Sequence, residues 1–334
     1  MPLASLPVSE FPLRVHLVTF TAALLVSALT LPLWRRICLQ TGLVDAPGHR
    51  KIHAQPVALA GGFAFLTGLC VPGLCWWVWM HFYHPPPAPA RALAVAFSQD
   101  LSLLLAILGG TIAMTLLGWA DDGWELRPAQ KFIGQLGVGL IAVGAGIRTN
   151  LFDLSPWLAG GISLLWLLTV VNAVNFIDNM NGLCAGLAVI AALFLGLVLH
   201  GSGQVLAASL AFLTSGAALG FLPWNYPKAT AFLGDAGSHA IGFLLGALSL
   251  LARFDVDGQA SPWSVCTPLL ILGLPLLDLV WVVIHRWRTD QPIYVGDTNH
   301  LSHQMVQGGL SPAQAVAILW ALAAFLGGLA LRIS

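Results

Sequence analysis

Long apolar runs recur along nearly the whole chain, and they constrain the fold more than any other feature. A helix needs about 20 apolar residues to cross the hydrocarbon core of a bilayer. Only 8% of the residues are charged, too few to cover a water-facing surface, where about a quarter is usual. The sequence therefore predicts an all-α, polytopic integral membrane protein with about ten transmembrane helices. The predicted spans lie near residues 15–37, 58–80, 100–119, 128–147, 157–176, 183–200, 205–223, 236–253, 264–285 and 312–332.

The distribution of basic residues predicts how the chain is oriented. An even number of spans places both termini on one side, and the connections then fall into two alternating sets. One set contains nine of the 14 Lys and Arg residues, and a basic excess marks the cytoplasmic side. We therefore expect both termini to face outward. The formal net charge of +0 gives no support for a nucleic-acid partner.

This orientation places nearly all the chemically active side chains on the cytoplasmic face. Most of the acidic residues, an Asn-rich stretch and the histidines of the longest inward loop all fall there. No soluble domain or internal repeat is visible, so residues 1–334 are predicted to form a single transmembrane catalytic domain. Its active site is predicted to be built from cytoplasmic loops near residues 38–57, 120–127, 177–182, 224–235 and 286–311.

Carboxylates occur at two predicted helix ends on this face. Asp121 and Asp122 are adjacent in GWADDGWEL, and Asp235 lies in FLGDAGS at the start of the eighth span. Two close carboxylates repel, and a divalent cation or basic partners relieve that cost. Asp235 could be a cation ligand or a helix N-cap. Taken alone, the Asp pair could also be a solvated helix end.

The stretch NAVNFIDNMNGL puts five polar side chains beside an apolar run. Asn172, Asn175 and Asn179 share a helical face, with Asp178 beside it and Asn181 following. Amides and carboxylates are costly next to a bilayer unless something binds them. A polar seam between packed helices explains one Asn well and this density poorly. The stretch therefore indicates a binding site.

Basic and histidine residues complete the set. Lys131 lies one turn from Gln135 and suits a phosphate, although it could be an ordinary positive-inside anchor. Lys51 precedes the second span, where a lipid-headgroup anchor is the alternative. His300 and His303, three residues apart, could be a metal pair, phosphate donors or solvated residues. Carboxylates together with Lys and His suggest Mg²⁺ on a pyrophosphate, with a lipid as the second substrate.

In this order, the stretches resemble the polyprenyl-phosphate N-acetylhexosamine-1-phosphate transferase family, glycosyltransferase family 4. The resemblance covers about residues 45–304 and rests on DD, N-x-x-N-x-x-D, F-L-G-D-x-G-S and D-x-N-H-x-x-H in series. It implies an enzyme of the bacterial inner membrane that uses Mg²⁺, or alternatively Mn²⁺. Such an enzyme moves a HexNAc-1-phosphate, here GlcNAc-1-phosphate by preference, from a UDP-sugar to undecaprenyl phosphate. UMP is released, and cell-envelope polysaccharide synthesis begins.

The resemblance also implies residue roles by position. Asp235 and Asn175 match metal ligands, and Asp235 with the Asp121–Asp122 pair is expected to face the cation and the lipid phosphate. Catalytic roles are implied for Asp121, Asp122, Asp178, His300 and His303. Substrate-binding roles are implied for Lys51, Lys131, Asn172, Asn175, Asn181, Asn225 and Phe232, with the Asn-rich stretch as one wall of a UDP-sugar pocket that Asn225 and Phe232 close.

Some features depart from the family pattern and keep alternatives open. Asn181 and Thr298 stand where many members have Asp and a basic residue, and His300-Leu-Ser-His303 carries fewer histidines than usual. A phospho-N-acetylmuramoyl-pentapeptide transferase is the alternative within the class, but that branch typically has consecutive histidines in this loop. A secondary transporter is the alternative from another class; it should hold charges near the midplane, where only Asp278 falls. Asp278 is predicted to be structural, pairing with a neighbouring helix. The oligomeric state stays open, with a homodimer as one option.

Overall fold

The structure is a computed structural model that describes residues 13–46, 55–82, 101–149, 154–252, 255–256, 259–260, 263–292 and 299–334. Within these ranges nearly all of the chain is helical. The helices are α1 Leu13–Thr41, α2 Gly61–Phe82, α3 Leu101–Trp124, α4 Pro128–Gly144, α5 Pro156–Phe176, α6 Leu183–Gly201, α7 Val205–Asn225, α8 Gly234–Leu251, α9 Thr267–Ile271, α10 Gly273–Arg288, α11 Leu301–Gln307 and α12 Pro312–Ile333. Two short antiparallel pairs, β1 Val44–Asp45 with β2 Val57–Ala58 and β3 Asp255–Val256 with β4 Gln259–Ala260, are the strands of these ranges.

The helices confirm an all-α polytopic membrane protein. In the described part of the chain, eight of them are long and apolar enough to cross a bilayer: α1, α2, α3, α5, α6, α7, α8 and α12. Helix α4 has 17 residues and α10 has 16, so both are shorter than that group. Each of the ten predicted apolar segments contains a helix. How many of them cross the membrane, and on which side the termini lie, stay predictions.

The ninth segment differs from the prediction of one continuous helix over residues 264–285. A 3₁₀ turn at Ser264–Cys266 leads into α9, and the chain then breaks at Leu272 before α10 begins. Pro275 explains the break, because it has no N–H to donate to the carbonyl one turn earlier. The break lets α10 start inside the protein and run on to Arg288.

Helix α8 lies at the centre of the bundle and is buried along nearly its whole length. It packs mainly against α3 and α5, and also against α2. The approach of α3 is close at Gly118, where an added Cβ would collide with the backbone of Asp235 and Ala236. Because glycine has no Cβ, the C-terminal end of α3 can lie directly on the first turn of α8.

The loop that leads into α8 is fastened to the start of α2. Phe232 donates its N–H to the carbonyl of Ala58 and accepts the N–H of Gly61, both at 2.9 Å. Ala231 forms an isolated parallel bridge with Ala58. Around this centre, α1 packs against α7 and α2, and α6 packs against α7 and α12. The fold thereby brings the first turn of α8 to a fixed position beside the ends of α3 and α5.

Candidate active site

Predicted site residues from four helices meet at one ammonium group. Lys131 on α4 places Nζ 2.7 Å from Asp235 Oδ2 on α8 and 2.8 Å from Asp121 Oδ2 on α3. It also donates to the side-chain oxygen of Asn175 on α5, at 3.2 Å. These residues are far apart in sequence, so the fold assembles the cluster. Its position at the ends of the helices is where the sequence predicts a cytoplasmic active site.

Asn175 fixes the other oxygen of Asp235. Its Nδ2 donates to Asp235 Oδ1 at 2.6 Å and to Ser238 Oγ at 3.0 Å. The amide is therefore oriented with its nitrogen toward α8 and its oxygen toward Lys131. Both oxygens of Asp235 have a partner, and the carboxylate lies at the centre of the cluster.

Asp121 and Asp122 are neighbours in sequence but hold different positions. Asp121 accepts the N–H of Leu126 at 2.9 Å with Oδ1 and directs Oδ2 to Lys131. Asp122 accepts the backbone N–H groups of Asp235 and Ala236, at 2.8 and 3.0 Å. Asp122 therefore caps the N-terminus of α8 from a different helix. Helix packing turns the two carboxylates to different protein partners. That the pair acts on the cation and the lipid phosphate stays a prediction.

The same contacts show that Asp235 is not the N-cap of α8. Helix α8 begins at Gly234, so Asp235 lies within its first turn, and no side chain of its own N-cap residue satisfies the end. The N–H groups of its second and third residues, Asp235 and Ala236, donate to Asp122 instead. Asp235 is therefore left to face Lys131 and Asn175.

A series of hydrogen-bonded polar side chains leads to the backbone carbonyl of Asp235. Asn172 donates to Gln135 Oε1 at 2.8 Å, and Gln135 Nε2 lies 2.9 Å from His239 Nε2. His239 Nδ1 lies 2.7 Å from the carbonyl oxygen of Asp235. A carbonyl only accepts, so Nδ1 carries the proton and Nε2 accepts from Gln135. Asn172 also donates to the carbonyl of Leu168 at 2.8 Å, and its contact with a nucleotide stays a prediction.

His239 is a residue of this site that the sequence did not single out. It is fully buried and lies four residues after Asp235, so both occupy one face of α8. That spacing is a signal in the sequence, although a lone His in an apolar helix is more often a packed core residue. Only the contacts of its two ring nitrogens, with Gln135 and with the carbonyl of Asp235, distinguish His239 from such a core residue.

The turn between α5 and α6 carries Asp178, Asn179 and Asn181. Burial, and then the negative charges of Asp235 and Asp122, raise the pKa of Asp178 to about 8. Asn179 accepts the hydroxyl of Ser302 at 2.6 Å, whereas Asn181 reaches the carbonyl of Pro227 only at 3.4 Å. The turn therefore contacts the segment that carries the loop histidines.

The raised pKa of Asp178 predicts a pH dependence of stability. An unfolded Asp releases its proton near pH 4, whereas the folded protein keeps it up to about pH 8. Because the native state binds the extra proton, stability should fall as the pH rises between these values and level off above them. Asp178→Asn removes the titration, so the unfolding temperature of this variant in detergent should exceed that of the wild type by a margin that grows from pH 5 to pH 8. A margin independent of pH would contradict the expectation.

Asn225 closes the turn rather than pointing freely into a pocket. The side chain is buried, its oxygen accepts the N–H of Gly182, and its nitrogen donates to the carbonyl of Ala231 at 3.0 Å. Gly182 has a positive φ of 78°, which glycine adopts without strain. The contact of Asn225 with a nucleotide stays a prediction, as does that of the half-buried Phe232.

The loop histidines meet a carboxylate from α10. His300 Nδ1 lies 2.6 Å from Asp278 Oδ2, and the N–H of Leu301 donates to Asp278 Oδ1 at 2.8 Å. The rings of His300 and His303 are 6.2 Å apart. Asp278 thus pairs with the loop histidine and with Leu301, the first residue of helix α11. Its structural role stays a prediction. Lys51 and Thr298 lie outside the described residues.

The donor set fits a divalent cation held together with a substrate phosphate. No three His, Cys, Asp or Glu side chains within the described ranges are grouped as a complete metal cage. Mg²⁺ commonly keeps several waters and binds through one or two carboxylates plus phosphate oxygens. Asp121 and Asp235 offer such carboxylates, and Asp122 lies beside them through its contacts with the backbone N–H groups of Asp235 and Ala236.

The chain is similar to several known proteins. The profile of Glycosyl transferase family 4 matches residues 104–253, from within α3 to just beyond the end of α8. The chain is 30% identical over 311 residues to the probable undecaprenyl-phosphate N-acetylglucosaminyl 1-phosphate transferase of Bacillus subtilis, covering 91% of this chain and 80% of that one. It is 30% identical over 336 residues to the decaprenyl-phosphate N-acetylglucosaminephosphotransferase of Mycobacterium tuberculosis, covering 92% and 80%. It is 26% identical over 309 residues to the undecaprenyl-phosphate alpha-N-acetylglucosaminyl 1-phosphate transferase of Escherichia coli K12, covering 88% and 77%.

Proposed function

The chain belongs to glycosyl transferase family 4, and we propose that it transfers N-acetylglucosamine 1-phosphate from UDP-N-acetylglucosamine to undecaprenyl phosphate, with release of UMP. The names of the relatives support transfer of an N-acetylglucosamine phosphate to a polyprenyl phosphate. The observation that carries the proposal is the contact of Lys131 with Asp121, Asp235 and Asn175 at the ends of four helices. That cluster offers an ammonium for a phosphate oxygen and two carboxylates for a cation bound with a diphosphate.

The reaction exchanges one phosphoanhydride for another. An oxygen of the lipid phosphate attacks the β-phosphorus of the UDP-sugar, and the bond from that phosphorus to the bridging oxygen breaks. The electron pair of the broken bond stays with UMP, and the product is a lipid diphosphate sugar. Because the bonds formed and broken are of one kind, no further energy source is needed and the reaction is reversible.

Some residues of the site would supply charge to the substrates and the cation, and others would orient those residues. Lys131 would hold a phosphate oxygen, since a Lys ammonium suits phosphate as a point charge. Asp121 and Asp235 would hold Mg²⁺, which when bound stabilises the negative charge that develops on the transferred phosphoryl group. Asn175 keeps Asp235 oriented at 2.6 Å, and Asp122 fixes the turn on which Asp235 lies. Preorganised groups of this kind need no rearrangement during the reaction.

We further propose that the site faces the cytoplasm and that both termini lie outside. The nucleotide-sugar donor is a cytoplasmic compound, and the basic excess marks the same side. Two exposed positions can carry a cysteine for labelling: Arg127 beside the site and Ser334 at the C-terminus. In intact cells whose native cysteines have been replaced, an impermeant maleimide should label the Ser334→Cys variant and leave the Arg127→Cys variant unlabelled until the membrane is opened. The reverse pattern would overturn the orientation.

A donor screen tests the function. The purified protein in detergent, given undecaprenyl phosphate, should release UMP from UDP-GlcNAc, sensitive to tunicamycin, and faster than from UDP-GalNAc or UDP-MurNAc-pentapeptide. Faster turnover of UDP-MurNAc-pentapeptide would favour the peptidoglycan alternative. Removal of divalent cations with EDTA should stop UMP release, and Mg²⁺ or Mn²⁺ should restore it. Absence of UMP release from all three donors would refute the proposed reaction.

A further inference from the structure

Asp278 is fully buried on α10, and both of its oxygens contact the segment that carries the loop histidines. Oδ2 meets His300 Nδ1 at 2.6 Å, and Oδ1 accepts the N–H of Leu301 at 2.8 Å. One turn further along α10, Trp281 donates to the carbonyl of Asn299 at 3.1 Å. Helix α10 therefore holds the residues just before and at the start of α11 at three points.

The contact with Asp278 determines which ring nitrogen of His300 carries the proton. A carboxylate only accepts, so Nδ1 donates to Asp278 and Nε2 is the nitrogen left for a substrate. A carboxylate in this position fixes the tautomer and the orientation of an imidazole. The same pairing orients histidines that coordinate metals and histidines that transfer protons.

The surroundings place His300 next to the proposed site. Its ring lies edge-on to Phe176 with centroids 6.5 Å apart, and Phe176 ends α5. Ser302, two residues later, donates to Asn179 at 2.6 Å, in the turn that carries Asp178. The imidazole is therefore held between α10 and the turn after α5.

We infer that Asp278 is a positioning residue that acts through His300: it holds the imidazole with the proton on Nδ1 and presents the lone pair of Nε2 to a hydrogen-bond donor of the substrates, such as a protonated lipid phosphate or a sugar hydroxyl. The inference rests on the proposed function and adds a residue that lies inside the ninth apolar segment, remote in sequence from the histidine loop. It replaces the purely structural role that the sequence predicts for Asp278.

Asp278→Asn separates the two contacts of this carboxylate. The amide oxygen of Asn can still accept the N–H of Leu301, while its NH₂ group faces Nδ1 and favours the tautomer with the proton on Nε2. We expect kcat to fall about 10- to 100-fold, the loss typical of removing a carboxylate that orients a histidine. The unfolding temperature should stay close to that of the wild type. Asp290→Asn is the matched control at an exposed position with positive φ, and it should keep normal turnover.

Leu301→Pro makes the complementary change. Proline removes the N–H that Asp278 accepts and leaves the imidazole contact in place. Pro is favoured at the first position of a helix, and His300 already has the extended backbone, φ −64° and ψ 152°, that precedes a proline. Turnover should remain close to that of the wild type. A loss as large as that of Asp278→Asn would overturn the inference, because the start of α11 would then be what matters.

A double-mutant cycle tests whether Asp278 acts through the ring. His300→Ala should lose as much turnover as Asp278→Asn or more, and adding Asp278→Asn to His300→Ala should cost nothing further. Additive losses would overturn the inference. So would an Asp278→Asn variant that no longer folds, because the carboxylate would then be required for the fold itself.

A readout without substrate keeps this inference separate from the proposed function. In protein labelled with ¹⁵N-histidine, the imidazole nitrogen shifts report which nitrogen carries the proton, and His300→Ala identifies the signal. The wild type should show Nδ1–H, and Asp278→Asn should show Nε2–H. Nε2–H in the wild type would overturn the inference even where UMP release is normal. Absence of UMP release in the wild type, with Nδ1–H present, would fail the proposed function alone.

Discussion

Asp235→Ala should lower turnover of UDP-GlcNAc at least about a hundredfold, as expected when a group that stabilises transition-state charge is removed. Within the cluster, the side chain of Asp235 contacts Lys131 at 2.7 Å and Asn175 at 2.6 Å, and its backbone carbonyl contacts His239. Its loss removes one carboxylate from the proposed cation site. It also frees Lys131 to pair with Asp121 alone and so to take a different position.

The loss should be catalytic, because the fold keeps its other contacts. Asp122 caps α8 through backbone N–H groups, which alanine at position 235 retains. The unfolding temperature in detergent should therefore change little. Asp235→Asn keeps the size of the side chain and removes its charge, so it should lose turnover as well, whereas the exposed Asp290→Ala should not. Near-normal turnover of Asp235→Ala at saturating Mg²⁺ would remove Asp235 from the proposed cation site.

The sequence predicts the helices well because hydropathy is a local property. Each apolar run is written in consecutive residues, and each of the ten contains a helix. The break at Leu272 was missed because Pro275 interrupts only one backbone hydrogen bond. The run of α3 beyond the predicted end near residue 119, to Trp124, was missed because Asp121 and Asp122 look like a polar terminus. Only the packing of α8 against α3 shows that they belong to the helix.

The site is predicted only in part, because partners are set by helix packing. A sequence places Asp121 and Asp122 together, and only the structure shows one facing Lys131 and the other two backbone amides. The Asn-rich stretch predicts a cluster of amides, but their orientation depends on neighbours from other helices. Asn175 turns to Asp235, whereas Asn172 turns to Gln135.

The contact between α10 and the histidine loop is the clearest example of a contact that the sequence does not reveal. Asp278 and His300 are 22 positions apart, and in the sequence Asp278 lies within an apolar run. Helix α10, which begins after the break at Leu272, contacts the loop through Asp278 and Trp281. Interrupted helices can present polar groups within the membrane only where protein satisfies them. Here the satisfied group is a carboxylate next to a candidate catalytic residue.

Gly118→Ala should abolish most turnover and lower the unfolding temperature, although it adds a single methyl group outside the charged cluster. The added Cβ would collide with the carbonyl group of Asp235 and lie 2.5 Å from the nitrogen of Ala236. The neighbouring atoms are backbone, which cannot rotate away, so α3 and α8 would have to separate. One turn further along α3, Asp121 and Asp122 would move with it.

Gly109→Ala is the matched control on the same helix. Nothing lies within 4 Å of the Cβ that it adds, and alanine is a better helix former than glycine by about 1 kcal/mol. We expect Gly109→Ala to keep both turnover and stability, and Gly118→Ala to lose about a hundredfold or more in turnover, because small misplacement of reacting groups has costs of that order. Unfolding temperatures and UMP release in detergent decide between them. Equal behaviour of the two variants would show that the close approach of α3 to α8 is not what aligns Asp121 with Lys131 and Asp122 with the start of α8.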